Sequence, residues 1–278
     1  MVISNSMSAL NMSYHNLDVL IKNLDIFHQR YTIIKSLKIN PKRGIYEVYD
    51  YSEKKRKVLK FIIRTSITNE QYEVFQFFMK CQHPNLCKIH EIFDSGIFLV
   101  LDMEYIEGET MLTYFSKERT QREYYKIIFD LILSIEFLHS KRIVHCDIKP
   151  DNIIIKTDGT GTPIIIDYDL SKIVTDIRIA NKSFGTRFFM APELVLQKRF
   201  SAKSDVWSLG MSMYACTMKT YTPDLFESSC LFDTDTTSMT NQHETTQSLQ
   251  VPQSSPLLNV PFSSEKTSRS SSLEDNRV

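Results

Sequence analysis

Net charge is absent from this chain: its 33 lysines and arginines balance its 33 aspartates and glutamates over 278 residues. That leaves no electrostatic reason to expect bulk binding to nucleic acid or to a membrane surface. Cysteine is scarce, and the five present (Cys81, Cys87, Cys146, Cys216 and Cys230) are odd in number, scattered and without paired zinc-ligand spacing. They argue against a disulfide scaffold and read as free thiols of a reducing compartment. The first thirty residues lack the uninterrupted apolar stretch of a secretory leader, because Asp18, Lys22 and Asp25 break it. No later run is long and apolar enough to span a bilayer, and no internal repeat occurs. The expectation is a soluble intracellular protein, cytoplasmic or nuclear, with neither a nucleic-acid nor a membrane partner.

What is present is an ordinary globular composition, 42% hydrophobic and 24% charged, enough for one sizeable core or for two lobes sharing a cleft. Short β-rich runs occupy Tyr31 to Leu37, Gly44 to Tyr51, Val58 to Ile63, Ile89 to Phe93 and Ile97 to Leu101. A helix from Glu70 to Lys80 interrupts them, with Val74, Phe77 and Phe78 on one face. From Arg122 the period turns helical, and Ile127, Ile128, Leu131, Ile135 and Leu138 form one apolar stripe. The fold expected is α+β: a small antiparallel β lobe with one helix, then a mainly helical large lobe. Residues 221–278 are about one-third serine and threonine and read as disordered. Lys54-Lys55-Arg56-Lys57 is a basic run between two strands, read as a solvated hairpin tip rather than a nuclear-import patch.

The chemistry sits in His145-Cys146-Asp147-Ile148-Lys149-Pro150-Asp151-Asn152, a polar loop pinned by apolar runs on both sides. It resembles the catalytic loop of the eukaryotic protein kinases, H-R-D-x-K-P-x-N. Further segments follow the family's order. Ile164-Ile165-Ile166-Asp167-Tyr168-Asp169 resembles the D-F-G element, and Gly185-Thr186 through Ala191-Pro192-Glu193 resembles the end of an activation segment. Ser204-Asp205-Val206-Trp207 resembles the helix start whose aspartate braces the catalytic loop, and His83-Pro84-Asn85 matches the H-P-N turn.

The resemblance implies ATP and Mg²⁺ as cofactors and a protein hydroxyl as acceptor. Asp147 would accept the acceptor's proton, and Lys149 would offset charge on the transferring group and goes with serine/threonine specificity. Asn152 and Asp167 would hold the metal. Lys60, in Val58-Leu59-Lys60-Phe61, would sit on the α and β phosphates, because a cation on an apolar strand needs an anionic partner. Its helical partner would be Glu73, with Glu70 the alternative. Gly44 and Val48 would belong to the phosphate loop, with Tyr46 over its tip. Met103 would guard the back of the pocket, Glu104 to Ile106 would form the hinge against adenine, and Glu109 would reach the ribose or stay solvated.

The sequence also departs from the family. Only Gly44 survives of the glycine-rich loop, so Lys42 or Arg43 would have to compensate by charge. Asp169 replaces a glycine and adds negative charge beside the metal, and Cys146 replaces the arginine that captures a phosphorylated activation loop, which argues against switching at Thr175 or Ser183. The resemblance covers about residues 31 to 223, a catalytic domain read as C-terminally truncated, with Glu193 left buried without its arginine. The expected organisation is a lead-in over 1–30, a nucleotide-binding lobe and hinge over 31–106, a partial large lobe over 107–223 and a tail over 224–278. The function expected is a serine/threonine protein kinase with a protein substrate and room for a regulatory partner. The alternative is a pseudokinase or scaffold with a degenerate nucleotide site.

Overall fold

The computed structural model describes residues 30–40, 43–181 and 183–218, together with Ile21 and Leu24. The chain divides into two compact units, Met1–Asp233 and Thr234–Val278, and every described residue belongs to the first. The rest of the lead-in and the serine- and threonine-rich tail lie outside the described residues.

The first lobe is a five-stranded antiparallel sheet built from β1 (Tyr31–Asn40), β2 (Arg43–Asp50), β3 (Lys55–Ile63), β4 (Ile89–Asp94) and β5 (Phe98–Glu104), in the order β1-β2-β3-β5-β4. Helix α1 (Asn69–Lys80) enters through a reciprocal cap: Thr68 accepts from the Gln71 amide, and the Gln71 side chain accepts from the Thr68 amide. Its Val74, Phe75 and Phe78 are buried. Strand alternation gives the sheet two different faces. One carries Lys60, Ile62, Leu99, Leu101 and Met103 toward α1 and the second lobe. The other carries Tyr46, Val48, Leu59, Phe61, Phe98 and Val100 into a separate outer core, with Ile21 packed on it.

The outer face corrects the reading of Lys54–Lys57 as a solvated tip. Turn residues end at Lys54, β3 already runs from Lys55, and Lys57 is fully buried among Asp50, Glu53 and Asp102. A run of four basic residues looks uniformly solvated in sequence, but the two-residue period of a strand turns one of them inward.

The second lobe begins with β6 (Gly108–Thr110), α2 (Met111–Ser116) and the 20-residue α3 (Gln121–Ser140), capped by Thr120 and Glu123. Ile127, Leu131, Ile135 and Leu138 of α3 are buried. Then come β7 (Ile143–Val144), β8 (Ile153–Lys156), β9 (Pro163–Ile165), β10 (Lys172–Ile173), β11 (Arg178–Ile179), α4 (Pro192–Gln197), β12 (Arg199–Phe200) and α5 (Ala202–Met218). Three small sheets, β6-β8-β9, β7-β10 and β11-β12, fix the loops between them. One core cluster runs from α1 and the inner sheet face through α3 to α5 and joins the two lobes. Among the described residues no helix is long and apolar enough to cross a membrane.

Candidate active site

The segment from His145 to Asn152 leaves β7, both of whose residues are buried, and re-enters the core at β8. Asp205, fully buried on α5, accepts from the amides of His145 and Cys146 at 2.8 Å each and pairs with His139 Nε2 at 2.9 Å. This anchor offsets the left-handed backbone at Cys146, φ 68°, which a side chain there otherwise disfavours. His145 is buried, and burial pushes its imidazole pKa down, so it is held neutral as packing beside Tyr168.

Asp147, Lys149, Asn152 and Thr186 converge. Asn152 Nδ2 donates to Asp147 Oδ2 at 2.8 Å and to its backbone oxygen at 2.9 Å. The Thr186 amide and hydroxyl approach Asp147 Oδ1 at 3.3 and 3.4 Å. Lys149 Nζ donates to Thr186 Oγ1 at 2.8 Å and lies 3.6 Å from Asp147 Oδ2. A carboxylate is thus oriented by an amide and a hydroxyl, with an ammonium alongside it. That is the equipment of a positioned general base.

Lys60 lies almost wholly out of solvent, with Nζ 2.7 Å from Asp167 Oδ1 and 2.6 Å from Asp169 Oδ1. Arg43 hydrogen-bonds Asp169 Oδ2 and lies 3.5 Å from Asp167 Oδ2. Burial alone would raise the Asp167 carboxyl, and Lys60 and Arg43 overcome it and hold it well below the usual carboxylate range. Asp169, acted on by burial and by the charge of Asp167, is the member pushed up. Asp167 itself has φ 59°, a left-handed backbone that aspartate tolerates better than most residues, whereas Asp169 does not, so the missing glycine causes no strain there. Tyr168 stacks on Phe78 with ring centroids 3.4 Å apart and donates to the Cys87 and Ile165 carbonyls.

The donor set fits a hard divalent cation. Asn152 commits its amide nitrogen to Asp147, which leaves the amide oxygen as acceptor, and the Ile166 amide donates to the Asn152 carbonyl at 2.9 Å, tying it to the strand before Asp167. Asp167 and Asn152 are the residues that would hold Mg²⁺.

Four sequence-assigned residues are placed elsewhere. Glu73 is exposed on α1 and makes no pair with Lys60, because the buried face of that helix is set by Val74, Phe75 and Phe78. Glu70, the alternative, pairs with Arg178 and, at 3.6 Å, Lys172, and accepts from the Ile173 amide at 3.3 Å. Gly44 and Val48 lie on the outer face of β2, opposite in register to Phe61 and Lys57. A Cβ at Gly44 would come within 2.8 Å of both Ile21 and the Tyr46 ring, so this glycine serves close packing rather than phosphate approach. On the Lys60 face of β2 stand Arg43, Ile45 and Glu47 instead. Glu47, which sequence reasoning missed, is buried and takes Arg56 at 2.7 Å and Lys35 at 3.2 Å. Arg56 in turn donates to the Tyr105 hydroxyl at 2.6 Å and lies over that ring, tying β3 to the segment from Glu104 to Ile106 that the resemblance implies as hinge.

Met103 and Ile106 are buried, and Glu109 pairs with Lys117 at 2.7 Å rather than standing free. Glu193 is half-buried and accepts from Ser204 Oγ at 3.0 Å, so it is not left without a partner as expected.

Glu70 clamps the segment after Asp169 without any phosphate. Glu70→Ala is expected to speed amide exchange across Lys172–Arg178 by about tenfold or more, since a charge-assisted contact and an amide acceptor are lost together. Glu70→Arg combined with Arg178→Glu should restore only the ion pair's share of the protection, because arginine cannot accept from the Ile173 amide. Exchange read by mass spectrometry checks both.

A protein kinase domain family model matches residues 44–273. Calcium-dependent protein kinase 6 of Plasmodium berghei is 34% identical over 174 residues, covering 61% of this chain and 12% of that protein. The serine/threonine-protein kinase RUNKEL of Arabidopsis thaliana is 29% identical over 175 residues, 60% of this chain and 13% of the relative. A probable myosin light chain kinase of Dictyostelium discoideum is 31% identical over 178 residues, 61% of this chain and 57% of the relative. The matched part of the chain thus spans between about an eighth and somewhat over half the length of these relatives.

Proposed function

This chain belongs to the protein kinase domain family, and from that premise we propose that it is a serine/threonine protein kinase, moving the γ-phosphoryl group of ATP to a protein hydroxyl. The observation that carries the reading is the cluster of Asp147, Lys149, Asn152 and Thr186 in hydrogen-bond contact. Phosphoryl transfer asks mainly for positioning and charge stabilisation. Mg²⁺ and ATP, when bound, supply the electrophilic phosphorus and neutralise its oxygens. Lys60 would hold phosphate oxygens, and Asp167 with Asn152 would hold the metal. Asp147 receives the proton of the attacking hydroxyl, while Thr186 and Asn152 keep its carboxylate turned toward the acceptor. Lys149 steadies charge on the group in transit. The substrate is a protein presenting serine or threonine, and a regulatory partner is compatible with the Glu70 clamp. An intracellular location is supported by the free thiols of Cys81, Cys87, Cys146 and Cys216.

A second reading, a pseudokinase or scaffold, is favoured by one arrangement: Lys60 is held by Asp167 and Asp169, and among the described residues no helix carboxylate pairs with it. Thermal unfolding with ATP, with and without Mg²⁺, separates the two. Saturating Mg·ATP at about 100 times its dissociation constant should stabilise the wild type by about 2.7 kcal/mol, and Lys60→Met should lose most of that gain. Absence of any shift in the wild type would favour the scaffold.

A further inference from the structure

Two departures from the family pattern, 126 residues apart in sequence, meet in space. Arg43 stands where the phosphate loop would carry glycine-rich backbone, and Asp169 stands where the metal-binding element would carry glycine. Arg43 bonds the Asp169 carboxylate, which also takes Lys60 at 2.6 Å.

We infer that Arg43 is the polyphosphate-binding residue of this cleft, gripping with a guanidinium where glycine-rich loops use backbone amides, and that Asp169 is the carboxylate on which it rests when no phosphate is present. The inference rests on the kinase reading and adds to it the residue that takes over the loop's work. Arg43 opens β2, and its own amide donates to Asn40 Oδ1 at 3.1 Å, which ties the start of β2 to the end of β1 and fixes where the side chain starts. In register it stands opposite Ile62, which places it on the Lys60 face of the sheet.

Amide gripping is not available to this strand. Gly44 and Tyr46 are turned to the outer core, and Ile45, on the Lys60 face, carries a bulky side chain where the backbone would have to approach phosphate. A planar guanidinium reaches further and matches carboxylate and phosphate oxygens with the same fork of donors. It is therefore suited to exchange one for the other.

Charge balance points the same way. Lys60 with Asp167 and Asp169 alone carries one excess negative charge, which would repel a polyphosphate, and Arg43 brings the group to neutrality. The Arg43 side chain keeps 28% of its surface in solvent, against 3% for Lys60, so an incoming anion can reach it first.

The test is calorimetric titration of the purified chain with ATP in Mg²⁺ and, separately, with adenosine, for the wild type, Arg43→Ala and Arg43→Lys. Losing one charge-assisted contact to phosphate should weaken ATP by about tenfold or more in Arg43→Ala, with adenosine affinity unchanged. Arg43→Lys should recover part of the loss, since it keeps the charge without the fork. Equal or tighter ATP binding by Arg43→Ala would overturn the assignment and make the Arg43–Asp169 pair a lock that nucleotide must break. A fall in adenosine affinity matching the fall for ATP would also overturn it, since the effect would then not belong to phosphate. A wild type that does not bind ATP would sink the kinase reading itself, and the assignment with it.

Discussion

Asp147→Asn is expected to lower phosphotransfer by about 10²- to 10⁴-fold, the range for removal of a positioned general base, while ATP binding and folding survive. Asparagine has the same shape and can still accept at one oxygen from Thr186, which approaches Asp147 Oδ1 at 3.3 Å. Its amide nitrogen cannot accept from Asn152 Nδ2, which donates to Asp147 Oδ2 at 2.8 Å, so some local adjustment is expected. That cost falls on the loop and not on Lys60 or Asp167, which lie in a separate set of contacts. Single-turnover transfer to a serine-containing peptide, read beside thermal stabilisation by Mg·ATP, separates chemistry from binding. Equal rates in variant and wild type would assign the transfer to something other than Asp147.

Lys57→Met should produce the largest loss of stability. Its ammonium is fully buried between Asp102 at 2.7 Å and Asp50 at 3.0 Å, with Glu53 also in contact. Tyr31 donates to Asp102 at 2.9 Å and Arg30 to Asp50 at 3.1 Å, so the network would keep some donors. Removing one partner of a buried ion pair costs about 3–5 kcal/mol, because it strands a charge away from water. At about 2–4 °C per kcal/mol for a domain of 150–250 residues, melting should fall by roughly 10 °C. Lys55→Met, half-exposed and paired with Glu53, should change little.

The pH dependence gives a second readout of the same network. Burial pushes the Asp50 carboxyl up, but hydrogen bonds from Ser52, Arg30, Lys57 and the Glu53 amide leave it well below the ordinary carboxylate range. A folded pKa lowered in this way stabilises the protein at neutral pH, and that contribution is lost as pH falls below about 4 toward the depressed value. In Lys57→Met the Asp50 carboxyl loses one of these donors and moves back upward, so acid takes less stability from the variant than from the wild type. The stability gap between variant and wild type should therefore narrow as pH falls below about 4, measured by denaturant unfolding. A gap that widens would contradict the buried-charge account.

The parts of this molecule legible in sequence are those written in neighbouring residues. The five strands follow from their apolar runs, and α3 follows from the stripe Ile127, Leu131, Ile135 and Leu138. The polar loop between β7 and β8 could be located because its eight residues are contiguous. What escaped depends on which strand face a residue occupies or on contacts far along the chain. Gly44 read as a remnant of a phosphate loop because a sequence does not state which face of β2 it occupies, and the outer core claimed it. Glu73 was assigned one helix position away from the residues that α1 buries, an uncertainty that periodicity alone does not remove. Lys57 and the Arg43–Asp169 pair were invisible because a charge looks solvated until the opposite charge that meets it is known.

The measurement that bears most directly on the central claim is phosphoamino-acid analysis after incubating the purified chain with γ-labelled ATP, Mg²⁺ and a mixed protein acceptor. The proposed serine/threonine reading, which rests on the resemblance carried by Lys149, predicts label on serine and threonine, none on tyrosine, and little from Asp147→Asn. Label no greater in the wild type than in Asp147→Asn would contradict the account, as would label confined to tyrosine.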